Sequence, residues 1–452
     1  MTRCVAALLA VFALGASPAL AQVNMPPSLL PASYVPHYTC ARDFYVDPEH
    51  GKAWRAYADG GGGAAEPWAS MQDANDAAAH GASVLRAGDC VNLAAGEYPL
   101  DATVSLTHGG AANRADGYVV YRSATPHGAH LIAHAHFWQI INVLTSYVII
   151  DGLEIDGNNA TNAGEGVATS GDAAHHHIVV ENCIIHDAGG GGVQLNDSEY
   201  FWIVGNLIYR NALTNTYQES GISIYQAQAA APFAATPDDS IPFRIIIAGN
   251  ISRDNFERYA CATPGCHTDG NGIIIDKTLN VDRPHGVAYA GRILVAGNLV
   301  YGNGGGGVHL YLSEHVTVAN NTSYNNHLDI ENPGTWRGEL SNADSDDIVW
   351  VNNIGAAVQG AGVLAHNSAV LVAATSGHDA ANVTWANNLL AGPLNVSTRE
   401  GHVDAHTNLV GADPGFTDAV RGDFTLAPNS PALGHGHAEP YLTPATPDIG
   451  AY

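Results

Sequence analysis

The sequence predicts an all-β solenoid, a right-handed parallel β-helix of three-strand coils. Three observations predict it. A β-branched run ending in Asn recurs along the chain, a second recurrent strand begins at Gly, and no helical period is sustained between them.

The first repeat ends at Asn182, Asn206, Asn250, Asn298, Asn321, Asn353 and Asn388, with spacings of 24, 44, 48, 23, 32 and 35. The two shortest spacings match one coil of a three-strand parallel solenoid, and the longer ones imply loop insertions. Asn at one corner of successive coils tolerates the left-handed backbone of a tight turn. Its amide can also hydrogen-bond from coil to coil. A second corner follows five residues on, at Asn211, Asn255, Asn303 and Asn326. The second strand starts at Gly166, Gly192, Gly221, Gly272, Gly307 and Gly362, with Gly338 in the same register. Strand alternation sends the first and third residues after each Gly inward. Gln194, Ser223, Ile274, His309 and then Leu340 or a neighbour would form one outward row. Asn196, Tyr225, Asp276 and Tyr311 would form the next.

Charge narrows the partners. Lys and Arg total 17 against 43 Asp and Glu, a net charge of −26, which argues against nucleic-acid binding. A polyanionic substrate would need a local cation to enter so negative a field. No apolar run reaches the length of a membrane span, so membrane insertion is not expected. Residues 1–21 read as a signal peptide, with Arg3, an apolar stretch at 5–16 and the small-residue site Ala19-Leu20-Ala21. The expected product is a secreted or periplasmic monomer with an arm at 22–43 and one β-helix domain at 44–452, including a C-terminal cap segment. An Ala-rich stretch at about 70–80 is expected to form a short helix over the open end of the core. In an oxidising compartment Cys261 can pair with Cys266, and Cys40 with Cys90 can tie down the arm. Cys183 reads as a buried free thiol.

Phe44-Tyr-Val-Asp-Pro, Pro67-Trp-Ala-Ser-Met-Gln and the stretch from Ala87-Gly-Asp-Cys to Gly96-Glu-Tyr resemble the opening segment of exported right-handed parallel β-helix proteins. Those include the pectate-lyase-like polysaccharide lyases and several glycosidase families. Asp413-Pro-Gly-Phe, Gly422-Asp-Phe-Thr-Leu, Ser430-Pro-Ala and Asp448-Ile-Gly-Ala-Tyr resemble their C-terminal segment. The resemblance covers roughly 44–452 and is specific for the fold, which hosts many activities.

Chemistry is expected where insertions gather, at about 226–242, 256–270 and 277–291. The first and third leave the solenoid at one corner on successive coils, so they should wall a cleft beside the Gly-initiated sheet. The densest polar motif, His267-Thr-Asp-Gly-Asn-Gly-Ile-Ile-Ile-Asp-Lys277, lies between the second and third. Asp269, Asn271 and Asp276, with Glu219 on the neighbouring coil and Glu165 more distant, offer hard oxygen ligands suited to Ca²⁺. The spacing is not that of an EF-hand loop. Lys277, with Lys52 one of only two lysines, is a candidate base, although its acidic neighbours oppose the neutral form. His309 is an alternative base, Arg337 a clamp for a substrate carboxylate, and Tyr225 or Tyr311 an acid. His134 with His136 and the run His175 to His177 read as solvated or edge-strand residues, and His435 with His437 as part of the tail.

The leading expectation is a calcium-assisted polysaccharide lyase cleaving a uronic-acid-containing polymer by β-elimination. The alternative is a glycoside hydrolase using paired carboxylates among Glu219, Asp269 and Asp276. A third is a non-catalytic carbohydrate-binding β-helix with Tyr225, Tyr311 and Trp336 as stacking surfaces.

Overall fold

The computed structural model describes residues 24–452, apart from 82–84, 113–116, 162–163, 171–172, 263–265, 333–336, 361–364, 375–377, 379–381, 398–402 and 444–447. The expected signal peptide, Trp336 and the strand start at Gly362 lie outside the described residues.

Each coil lays one short strand on each of three parallel sheets. The first sheet has eleven strands, from Arg42–Val46 to Val383–Ala386, the second eleven, from Gly96–Leu100 to Leu409–Val410, and the third ten, from Val104–Leu106 to Leu394–Val396. One coil runs Phe201–Val204, Leu207–Tyr209, Ile222–Tyr225, and Ile245–Ala248 opens the next. Alternate side chains point inward, so aliphatic columns such as Ile203, Ile247, Val295 and Val318 stack along the axis and are fully buried. Burying each such side chain contributes about 1.5–3 kcal/mol. Helix Met71–Ala79, N-capped by Ser70, closes the open end of this core with Met71, Ala74, Ala77 and Ala78. The first sheet begins at Arg42, whose guanidinium grips Asp89 next to the Cys40–Cys90 disulfide. Cys261 and Cys266 are also bridged, and Cys183 is free and buried.

The Asn corners stack as ladders, with one correction. Asn206, Asn250, Asn298, Asn321, Asn353, Asn388 and Asn408 form a continuous buried column. From Asn250 onward each Oδ1 accepts the backbone N–H and side-chain N–H of the Asn one coil earlier, at 2.8–3.0 Å. Asn182 is not in it. Cys183 holds that rung, its N–H donating to Asn206 Oδ1, while Asn182 is aligned with Gly205. The left-handed residue of each turn is the one before the ladder Asn, as in Asn182, Gly205, Gly249, Gly297, Asn320, Asn352 and Asn387. Turn geometry and amide stacking are therefore carried by adjacent residues. The second ladder, Asn211, Asn255, Asn303 and Asn326, ends on the buried carboxylate of Glu339.

Two of the three outer faces are covered. Leu30 of the N-terminal arm, with Tyr441 and Leu442, packs on outward apolar residues of the first sheet. Phe416 and Phe424 of the C-terminal segment pack on Tyr209, Tyr301 and Tyr324 of the second. That segment therefore runs along the side of the solenoid. The insertion at 226–242 also departs from expectation: Phe233 stacks on His176, 4.0 Å between ring centroids, and packs edge-on to His177 and Tyr200. It covers the first sheet and does not wall the third. His176 and His177 are thereby packing residues. Among the described residues, the outer face of the third sheet has no such apolar cover.

Candidate active site

Outward residues of the third sheet follow the expected register. Gln194, Ser223, Ile274, His309 and Ser341 pair in one row, and Asn196, Tyr225, Asp276, Tyr311 and Ala343 in the next. Leu340 faces the core opposite Val308, so the row continues through Ser341. Beside these rows runs a cleft of about 830 Å³. Its wall comes from the connections between the second and third sheets, through Asn215, Tyr217, Glu219, Thr268 and Asp269, with Trp138 and Glu165 at one end and Lys277 at the opposite edge.

Four carboxyls dominate the cleft, and the backbone explains how they meet. Glu165, the glycines at 190–191, Glu219 and Asp269 occupy successive coils: Gly190 N–H donates to Gly164 O, and Gly270 N–H donates to Glu219 O at 2.8 Å. The glycine coil has no side chains, so Glu219 reaches across it toward Glu165. A Cβ on Gly190 would stand 2.3 Å from Glu219 Oε2. Gly191 N–H donates to that oxygen and Asn215 Nδ2 donates to Oε1 at 2.5 Å. Burial raises both Glu165 and Glu219, and the charge of Glu165 raises Glu219 further. Asp269 is pushed up to about 8, by burial and then by the charge of Asp276. Asp276 is pushed up to about 7 by burial, partly offset by Lys277, and its Oδ1 has no hydrogen-bond partner.

The other expected residues divide. Tyr225, Tyr311, His309 and Lys277 line the cleft. Burial holds His309 down at about 4, so it is a neutral imidazole at pH 7. The Lys277 ammonium pairs with Asp282 at 2.7 Å. Burial would lower its pKa, but that hydrogen bond and the charge of Asp276 raise it. A base needs the neutral amine, so this pairing opposes that role. Arg337 is not in the cleft. Its guanidinium is buried and donates to the carbonyls of His327, Asp329 and Asn332 and to Asn367 Oδ1. It braces a loop and cannot clamp a substrate there. Asn271 is a strut: its Oδ1 accepts from Gly306 N–H at 2.7 Å and its amide donates to Ser220 Oγ and Asp269 Oδ1. Of the four residues expected to share a calcium ion, Asp269 is coupled to Asp276 by charge and to Asn271 by a hydrogen bond, whereas Glu219 turns toward Gly191 and Glu165.

Trp138 and Tyr217 were not singled out in the sequence. They are 53% and 71% exposed, with rings 5.9 Å apart at the cleft. Trp138 falls in no repeat, and the position of Tyr217 two residues before Glu219 was its only signal.

No protein-family model matches the chain, and no curated protein is similar to it. Solved structures do match. Pectate lyase Pel9A is 16% identical, with 94% of this chain and 98% of that one aligned at a TM-score of 0.50. The chain is a right-handed parallel β-helix. XylC in complex with xylose is 11% identical over 78% of this chain and 70% of that one, TM-score 0.48. The A-module of Azotobacter vinelandii mannuronan C-5 epimerase AlgE6 is 14% identical over 73% and 83%, TM-score 0.40. At these identities the likeness is to the fold. The activity of this β-helix has to be argued from its cleft.

Proposed function

We propose that this β-helix acts on polysaccharide and hydrolyses glycosidic bonds in a neutral sugar polymer or oligosaccharide. The observation that carries the reading is the placement of Glu219 and Asp269 on adjacent rungs, linked by the Gly270-to-Glu219 backbone hydrogen bond. Glu219 turns its carboxyl back toward the Gly190–Gly191 coil, so the two carboxyls stand more than one strand spacing of about 4.8 Å apart, in the direction of the wider separation, about 6.5–9.5 Å, of an inverting glycosidase. Asp269 keeps its proton at neutral pH and donates it to the leaving oxygen. Glu219, whose oxygens accept from Gly191 N–H and Asn215 Nδ2, supplies the opposing carboxylate. Trp138 and Tyr217 offer faces on which a sugar ring can stack. A neutral substrate fits because Lys277, which lines the cleft among the described residues, is already paired with Asp282. The expected signal peptide would place this activity outside the cytoplasm.

Reducing-sugar release from neutral glycans tests the reading. Asp269→Asn should lower turnover by about 10²–10⁴-fold but spare cleavage of an activated aryl glycoside, whose leaving group needs no proton. Glu219→Gln should abolish both. Wild-type rates in either variant would refute the assignment.

A second reading rests on the partnerless Asp276 Oδ1 beside Asp269. A calcium ion held there would neutralise a uronate carboxylate and favour β-elimination, with Lys277, His309, Tyr225 and Tyr311 around the sugar. Release of unsaturated uronates from acidic polymers, abolished by chelator and restored by Ca²⁺, would select it over hydrolysis.

A further inference from the structure

A second cluster lies on the outer face of the second sheet, away from the cleft. His130 pairs in register with Glu154, Ile132 with Asp156, and Asp156 with His186. Outward positions on three consecutive coils thus bring two imidazoles and two carboxylates together.

We propose that His130, Asp156 and His186, with Glu154, bind one divalent transition-metal ion of the zinc class. One ligand atom each from His130, Asp156 and His186 lie within 4.8 Å of one another. His130 Nε2 stands 3.4 Å from Asp156 Oδ2 and 3.9 Å from Glu154 Oε1. His186 Nε2, the nitrogen left for a metal, is 3.3 Å from the same Glu154 oxygen. A tetrahedral ion with bonds of about 2.0–2.1 Å holds its ligand atoms about 3.3–3.4 Å apart. His130 Nε2 is shielded from solvent, and its nearest polar neighbours are the Asp156 and Glu154 carboxylates that would share the ion.

The surroundings complete the site. His186 Nδ1 donates to Asp187 Oδ2 at 2.7 Å, Arg210 in turn holds Asp187, and the ring stacks on Tyr209. A carboxylate on one imidazole nitrogen sets the tautomer that presents the other nitrogen to a metal. Charge agrees: Glu154, Asp156 and Asp187 against Arg210 leave two negative charges, which one divalent cation balances. Two imidazoles with carboxylates select a borderline metal over calcium. Bound there, the ion would clamp three successive coils.

The test uses untagged full chain, stripped with chelator and titrated with Zn²⁺ at pH 7.5. The expected result is one saturating equivalent and a higher Tm. Co²⁺ in its place should give the visible bands of tetrahedral nitrogen and oxygen ligation. His130→Ala and His186→Ala should each weaken binding by about 10–100-fold. No saturable Zn²⁺ binding to folded wild type would overturn the proposal, because the cluster would then be balanced by protons on its imidazoles. So would binding unchanged in the double variant. Should the variants fail to fold, the Co²⁺ spectrum of wild type decides by itself.

Discussion

At the scale of the residue, the cleft depends on what the glycine coil lacks. Glu219 can lie against Gly191 N–H because neither Gly190 nor Gly191 carries a Cβ. Gly190→Ala would set a methyl 2.3 Å from Glu219 Oε2 and 2.8 Å from the Gly164 carbonyl carbon. It should cost about 1–3 kcal/mol of stability by overpacking and reduce activity at least tenfold by displacing the carboxyl. Urea unfolding and turnover measure both. Adding Glu219→Asp, which shortens the side chain, should recover part of the stability but none of the activity. Additive losses would show that the glycine is needed for its backbone alone.

The element that unifies the coils is the buried Asn column. Asn298 receives N–H bonds from Asn250 and donates to Asn321 and to Ile247 O. Asn298→Leu would strand these partners in the core, at about 1–3 kcal/mol for each unsatisfied group, so a markedly lower urea midpoint is expected. The same column predicts a gain. Cys183 occupies a ladder position, with its thiol 3.8 Å from Ile150 O. Cys183→Asn should lengthen the ladder by one rung and stabilise by about 0.5–1.5 kcal/mol. A lower Tm in that variant would mean the first coils lack room for the amide.

Across the whole molecule, buried neutral groups set the pH dependence. Burial depresses His177 to about 3, His309 to about 4 and His327 to about 3. Unfolded histidine protonates near about 6.5, so the unfolded state gains protons first and stability falls as pH drops below that value. Burial raises Glu257 to about 9 and Glu339 to about 7. Unfolded glutamate ionises near about 4.3, so stability falls as pH rises above that value toward the folded pKa. The two trends predict a maximum between about pH 4.5 and 6.5, measurable as Tm across a buffer series. A maximum above pH 7 would contradict the burial of these acids as neutral groups.

The repeat was legible in the chain because it is local. Gly-initiated strands alternate with period two, so the rows from Gln194 to His309 and from Asn196 to Tyr311 could be read before any coordinates. Asn corners mark the coil, although the step from Asn182 to Cys183 shows that one-residue turn geometry is not visible in residue type. The site was only partly legible. Glu219, Asp269, Asp276 and Lys277 stand out as polar residues beside glycines, but whether they converge depends on side-chain reach between coils. That reach is set by Gly190, by the pairing of Lys277 with Asp282, and by the carbonyls that hold Arg337. The strand period, carried within each segment, determined the solenoid and its faces. Contacts between residues distant in the chain decided which polar groups on those faces meet.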